Sequence, residues 1–128
     1  LFDRPLALVG IGEKGFLSVE IQVVGEGGHS SMPPRQTSIG ILAAAVAKLE
    51  ANPLPARLDA GLDQLFSYVG PEMAFLPRLL FANRWLFGPL IRSVLSKTPS
   101  TDATQRTTTA PTILRAGVKD NVLPIDAT

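Results

Sequence analysis

The stretch "GEKGFLSVEIQVVGEGGHSSMPP", Gly12–Pro34, changes character twice along its length. Glu13, Lys14 and Gly15 have turn chemistry, after which Leu17, Val19, Ile21 and Val23 alternate with Ser18, Glu20 and Gln22. A period of two puts one face of a strand in a core and leaves the other wet, the pattern of an antiparallel sheet with helices on one side. Upstream, "ALVGIG" (Ala7–Gly12) is a short apolar run closed by the same turn, which predicts a hairpin between the two runs. Downstream, two glycines lead into His29, the one histidine of the chain, followed by Ser30-Ser31 and Pro33-Pro34.

Beyond the prolines, Thr37 or Ser38 caps a predicted helix in which Ile39, Leu42, Val46 and Leu49 form an amphipathic stripe. Asn52-Pro53 ends it, because a residue before proline resists helical dihedrals. Residues 62–97 are rich in Leu, Phe and Trp but interrupted by Pro71, Pro77 and Pro89, which predicts two or three short helices. Arg78, Arg84 and Arg92 exclude a membrane span there, since a spanning helix wants about 20 mostly apolar residues. Two readings stay open for this helical, apolar insertion of residues 62–95: helices packing on the domain or on a neighbouring one, or an apolar surface touching a hydrophobic ligand, a membrane face or another subunit. Thr98–Thr109 reads as a polar loop. "TTTAPTILRAG" (Thr107–Gly117) and "NVLPIDAT" (Asn121–Thr128) read as two further strands, with Pro111 and Pro124 at an edge or a strand end. The predicted class is α+β: an antiparallel sheet of about four strands, helices on one face, and the insertion between the first helix and the third strand.

The chain has 128 residues, the size of one domain. Twelve basic against eleven acidic residues, scattered along the chain, give nucleic acid no electrostatic footprint to bind. The absence of cysteine removes disulfides, thiol nucleophiles and thiolate metal sites, and it leaves the compartment open. "LFDRPLALVG" carries no basic leader or cleavage site, and the chain starts without Met and stops inside a strand-like run. The expectation is one domain, residues 1–128, taken from a longer protein.

A self-contained metal site would need more than one histidine or a paired carboxylate motif, and neither occurs. Ser30 or Ser31 could join His29 and a distant Asp, but no nucleophile elbow surrounds them. Gly10, Gly12 and Gly15 match Gly-x-Gly-x-x-Gly, yet a strand follows where a phosphate site requires a helix N-terminus. His29 therefore stands alone: either an incidental loop histidine or a neutral imidazole that presents its N–H as a hydrogen-bond donor. Gly27 and Gly28 would let the backbone come close to a ligand or take positive φ, and Pro33-Pro34 would stiffen the exit.

Taken together, Gly12–Pro34, the capped helix after it and "AGVKDNVLP" (Ala116–Pro124) resemble the dimerisation or lid domain of the M-twenty zinc metallopeptidase family. Its members include aminoacylases, carboxypeptidase S, acetylornithine deacetylase, succinyl-diaminopimelate desuccinylase and glutamate carboxypeptidase. The resemblance covers nearly the whole chain, and the insertion with "NRWLFGPL" (Asn83–Leu90) is most similar to the carboxypeptidase S branch, which includes N-acyl amino acid synthase/hydrolases. It implies that two zinc ions sit in a separate catalytic domain, with no metal ligand in this chain. It further implies that the domain caps the substrate, a peptide or N-acyl amino acid, and forms a homodimer. His29 would reach the partner subunit's active site and hydrogen-bond the reacting carbonyl oxygen, while Asn121 and Gly28 would contact substrate. Arg115 matches no substrate-binding motif of the family. From a different class comes the alternative of a free-standing α+β interaction or ligand-sensing module.

Overall fold

The structure, a computed structural model, describes Pro5, Ala7 and residues 9–128. The chain divides into two compact units: Gly15–Pro53 with Thr109–Thr128, and Leu54–Thr108 with the described residues up to Lys14.

The first unit is a two-stranded ladder with one helix. Strand β1 (Val23–Val24) pairs antiparallel with β4 (Asp126–Ala127), and β2 (Gly28–His29) pairs antiparallel with β3 (Val122–Leu123). The backbone N–H of Gly25 donates to Ile125 O at 2.6 Å and that of Ser30 to Asn121 O at 3.1 Å, which extends both ladders. The two registers differ by one residue. Gly25 faces Ile125 and Gly28 faces Leu123, so Glu26 and Gly27 together oppose Pro124, a β-bulge. Proline, having no N–H to offer the ladder, is well placed opposite it. A Cβ on Gly27 would lie 2.8 Å from Ile125 Cγ1, so the bulge needs glycine at that position.

Helix α1 (Ser38–Ala51) starts as expected. Thr37 Oγ1 accepts the Gly40 N–H at 3.1 Å, and at the far end the Asn52 side chain and backbone both donate to Lys48 O. Its covered stripe runs through Ser38, Leu42, Ala45 and Val46, with Leu42 only 3% exposed and Ala127 of the strand beneath at 1%. Ile39 and Leu49, expected in that stripe, are exposed; the helix is rotated so that the small Ser38 rather than Ile39 meets the ladder. Ser38 Oγ donates to Pro124 O at 2.8 Å and satisfies a carbonyl that lies at the bulge.

The second unit is helical: α2 (Ala60–Val69), a 3₁₀ turn (Gly70–Glu72), α3 (Phe75–Ala82), α4 (Arg84–Leu95) and α5 (Pro99–Gln105). Asp59 caps α2 by accepting the Leu62 N–H at 2.9 Å. Phe66, Val69, Gly70, Gly88 and Ile91 are buried here, and the Phe66 and Phe81 rings stack with centroids 4.4 Å apart. Arg84 links α2 to α4: it donates to Asp63 Oδ1 at 2.7 Å, Ser67 Oγ at 3.0 Å and Phe81 O at 2.7 Å. Pro71 and Pro77 fall in first turns, where a missing N–H costs little, but Pro89 lies inside α4, which continues through it.

The α+β class holds, with five α-helices and two small antiparallel sheets of two strands among the described residues; these strands do not join into one sheet of about four within the described residues. Among the described residues the expected hairpin is not seen: Ala7 and Val9–Gly12 carry no strand, Leu8 lies outside them, and the only strand within Phe16–Gly25 is Val23–Val24, which pairs with Asp126–Ala127. Leu17 and Val19 alternate correctly but are exposed, at 81% and 73%, with no strand or helix among the described residues covering them. "TTTAPTILRAG" contributes one bridge, Ala116 to Ala127, with Arg115 and Thr128 exchanging backbone bonds beside it. The polar loop contains α5; Thr98 as N-cap and Pro99 at the first helical position were its signals.

Candidate functional site

His29 ends β2 at the exposed tip of the ladder. An unbroken strand would place it on the same face as the half-buried Val23, six residues earlier, since side chains alternate with a period of two. The extra residue of the bulge moves it to the opposite face. The geometry thus follows from Gly27, whose missing side chain admits Ile125.

Immediately after His29 the chain turns, with Met32 N–H donating to His29 O at 3.1 Å. The turn brings Ser31 back over the imidazole. Its backbone N–H donates to His29 Nδ1 at 3.2 Å, and its hydroxyl lies 2.9 Å from the same atom. A backbone N–H can only donate, so Nδ1 must be an acceptor and the ring proton resides on Nε2. Nε2–H has no hydrogen-bond partner among the described residues and stands ready as a donor.

The ladder brings the sequence-predicted residues together. Gly28 pairs with Leu123, His29 with Val122, and the Ser30 N–H with Asn121 O, which places Gly28, His29 and Asn121 at one end of the β2–β3 ribbon. Asn121 spends its backbone carbonyl on that bond and keeps an exposed side chain. The turn before it passes through Gly117 (φ 72°) and closes with Val122 N–H donating to Lys119 O. Beside this end lies an open cleft of about 530 Å³ lined by Ser30, Ile39, Val118, Lys119, Asp120 and Val122, among others. Gly28 has open space where a side chain would be, and its φ is not positive; the close approach is made by Gly27, to Ile125.

Ser31 is the residue that sequence reasoning missed in this role, having been weighed only as a nucleophile. A Ser two residues after a His, ahead of a Pro-Pro exit, is a recognisable signal for such a turn. Among the described residues, no group of three or more His, Cys, Asp or Glu side chains could hold a metal ion, and no helix is long and apolar enough to cross a membrane.

The model of the peptidase dimerisation domain family matches residues 11–128. The chain is 52% identical to "Probable carboxypeptidase S-like 2" of Dictyostelium discoideum, over 98% of this chain and 24% of that protein. It is 48% identical to "N-fatty-acyl-amino acid synthase/hydrolase PM20D1" of Xenopus tropicalis, over 98% of this chain and 25% of that protein. Identity to the Homo sapiens protein of the same name is 45%, over 96% and 25%. No solved structure matches the chain. It spans about a quarter of the length of these relatives. By the span of the family match, and by its similarity to carboxypeptidase S-like proteins, the chain belongs to the M20 peptidase dimerisation domain family.

Proposed function

We propose that this chain is the dimerisation and substrate-capping domain of a metal-dependent hydrolase that acts on N-acyl amino acids or peptides, and that His29 serves the active site of the partner subunit. The observation that carries the reading is the Ser31 N–H held against His29 Nδ1, which leaves Nε2–H to donate. A donor held before the reaction starts is what a carbonyl oxygen needs as it gains charge in a tetrahedral intermediate. Asn121, on the paired strand, would hold the substrate's carboxylate through its side-chain amide, and Gly28 would let substrate pass close to the backbone. Two zinc ions, bound by another domain of the parent protein, would activate the attacking water. The fatty-acyl substrate named for the Xenopus and human relatives supports the N-acyl amino acid class. The uncovered run through Leu17 and Val19 would be covered in the assembled dimer, completing a sheet of about four strands.

In the full-length parent, His29→Ala should lower turnover of an N-acyl amino acid by about 10²–10³ with zinc content and fold unchanged. Activity within about twofold of wild type would remove His29 from the reaction. The parent should scatter light as a dimer; a fully active monomer would end the reading of donation between subunits.

A further inference from the structure

The helical unit has an outward surface of unusual chemistry. Along α4, the exposed positions Trp85, Leu86, Pro89, Leu90 and Val94 follow the i, i+1, i+4, i+5, i+9 spacing of one helix face, and Trp85 is 82% exposed. Helix α3 repeats the pattern with Phe75 at 76%, Leu76 at 70%, and Leu79. These are the positions where a solvated helix carries charge. The apolar residues that hold the unit together, Phe66, Val69, Phe81 and Ile91, are different ones, so the outward stripe is surplus to the core.

Charge selects the occupant. From Met73 to Lys97 there are four basic residues, Arg78, Arg84, Arg92 and Lys97, and no acidic one. Arg84 is tied to Asp63 on α2 and Arg92 is half-buried, which leaves the exposed Arg78 and Lys97 as the cations of this apolar segment. Apolar faces of Trp, Phe and Leu bordered by cations match an anionic lipid surface, in which the side chains enter the acyl boundary and the cations meet headgroups. Helices of eight and twelve residues lie on such a surface and cannot span it.

We propose that α3 and α4 dock on an anionic phospholipid surface, with Trp85, Leu86, Leu90, Phe75 and Leu76 as the inserted side chains and Arg78 and Lys97 as headgroup contacts. The proposal concerns binding alone and does not depend on the hydrolase reading.

The test is flotation of the full-length parent with vesicles of phosphatidylcholine alone and of phosphatidylcholine with phosphatidylserine, without substrate. The protein should float with the anionic vesicles and much less with the neutral ones. Trp85→Ser with Leu90→Ser should weaken binding by about tenfold or more. Arg78→Gln with Lys97→Gln should weaken it by about fivefold per charge removed, and only for the anionic vesicles. All four sites are exposed, and circular dichroism checks that the variants stay folded. Equal binding to both vesicle types, no binding to either, or binding that the folded variants leave unchanged would overturn the proposal. So would a parent dimer that dissociates on Trp85→Ser while wild type ignores vesicles, since that assigns the face to a second copy. Vesicle binding that persists in a parent lacking hydrolase activity keeps this inference while removing the preceding one.

Discussion

Ser31 meets the Nδ1 atom of His29 twice, with its backbone N–H at 3.2 Å and its hydroxyl at 2.9 Å. The first bond belongs to the main chain and survives any side-chain change except to proline. Ser31→Ala should therefore keep the tautomer and cost turnover less than about tenfold, the loss of one neutral hydrogen bond. In a His29→Ala background the same change should cost nothing further, because its only target is gone. Full additivity of the two variants in kcat/KM would show that Ser31 acts elsewhere.

Gly27 and Gly28 are neighbours with opposite tolerances. A Cβ on Gly27 would press on Ile125 at 2.8 Å, whereas one on Gly28 meets nothing within 4 Å. Gly27→Ala should destabilise the domain by about 1–3 kcal/mol, the usual range for overpacking, and Gly28→Ala should change the melting temperature little. Thermal melts of the two variants side by side test whether the bulge needs its glycine; equal melting temperatures would remove that requirement.

Ser38 is 3% exposed and donates to Pro124 O at 2.8 Å, which fastens α1 to the strand at the bulge. Ser38→Ala would leave a carbonyl without that partner, and a loss of about 1–3 kcal/mol is expected. Denaturant unfolding measures it. Amide exchange should quicken at Gly25 and Ser30, whose ladder bonds flank Pro124, and unchanged protection there would contradict this account.

In the first turn of α5, Asp102 accepts from Ser96 Oγ at 2.7 Å, from Gln105 Nε2 at 3.1 Å and from Arg106 at 2.9 Å. The Ser96 hydroxyl first, then the Gln105 amide and the Arg106 charge, hold its carboxyl below the ordinary value of 3.8. An unfolded Asp takes up its proton at higher pH than the folded one, so the stabilisation is complete above 3.8 and is lost as pH falls through the lower folded value. Asp102→Asn should melt earlier than wild type at neutral pH, with the gap closing in acid. A gap that stays constant down to the acid transition would mean that the charge contributes nothing.

Much of this architecture can be read from short windows of sequence because its causes are local. Thr37 and Asn52 bound α1 through bonds to residues three and four positions away, and the prolines break the apolar region into short helices. Thr98-Pro99 announces α5 by the same logic, although a polar composition disguises it. The lone His29 between a Gly-Gly pair and a Pro-Pro pair was legible as a candidate for the same reason. Strand pairing is different. It depends on partners about a hundred residues away, so alternation in Leu17–Val23 could specify two faces but not whether anything would cover them. The side of the ladder on which His29 emerges belongs to that second category. It rests on one inserted residue opposite Pro124, a register that exists only when the two ends of the chain meet, because a period-two pattern reverses with every residue gained or lost.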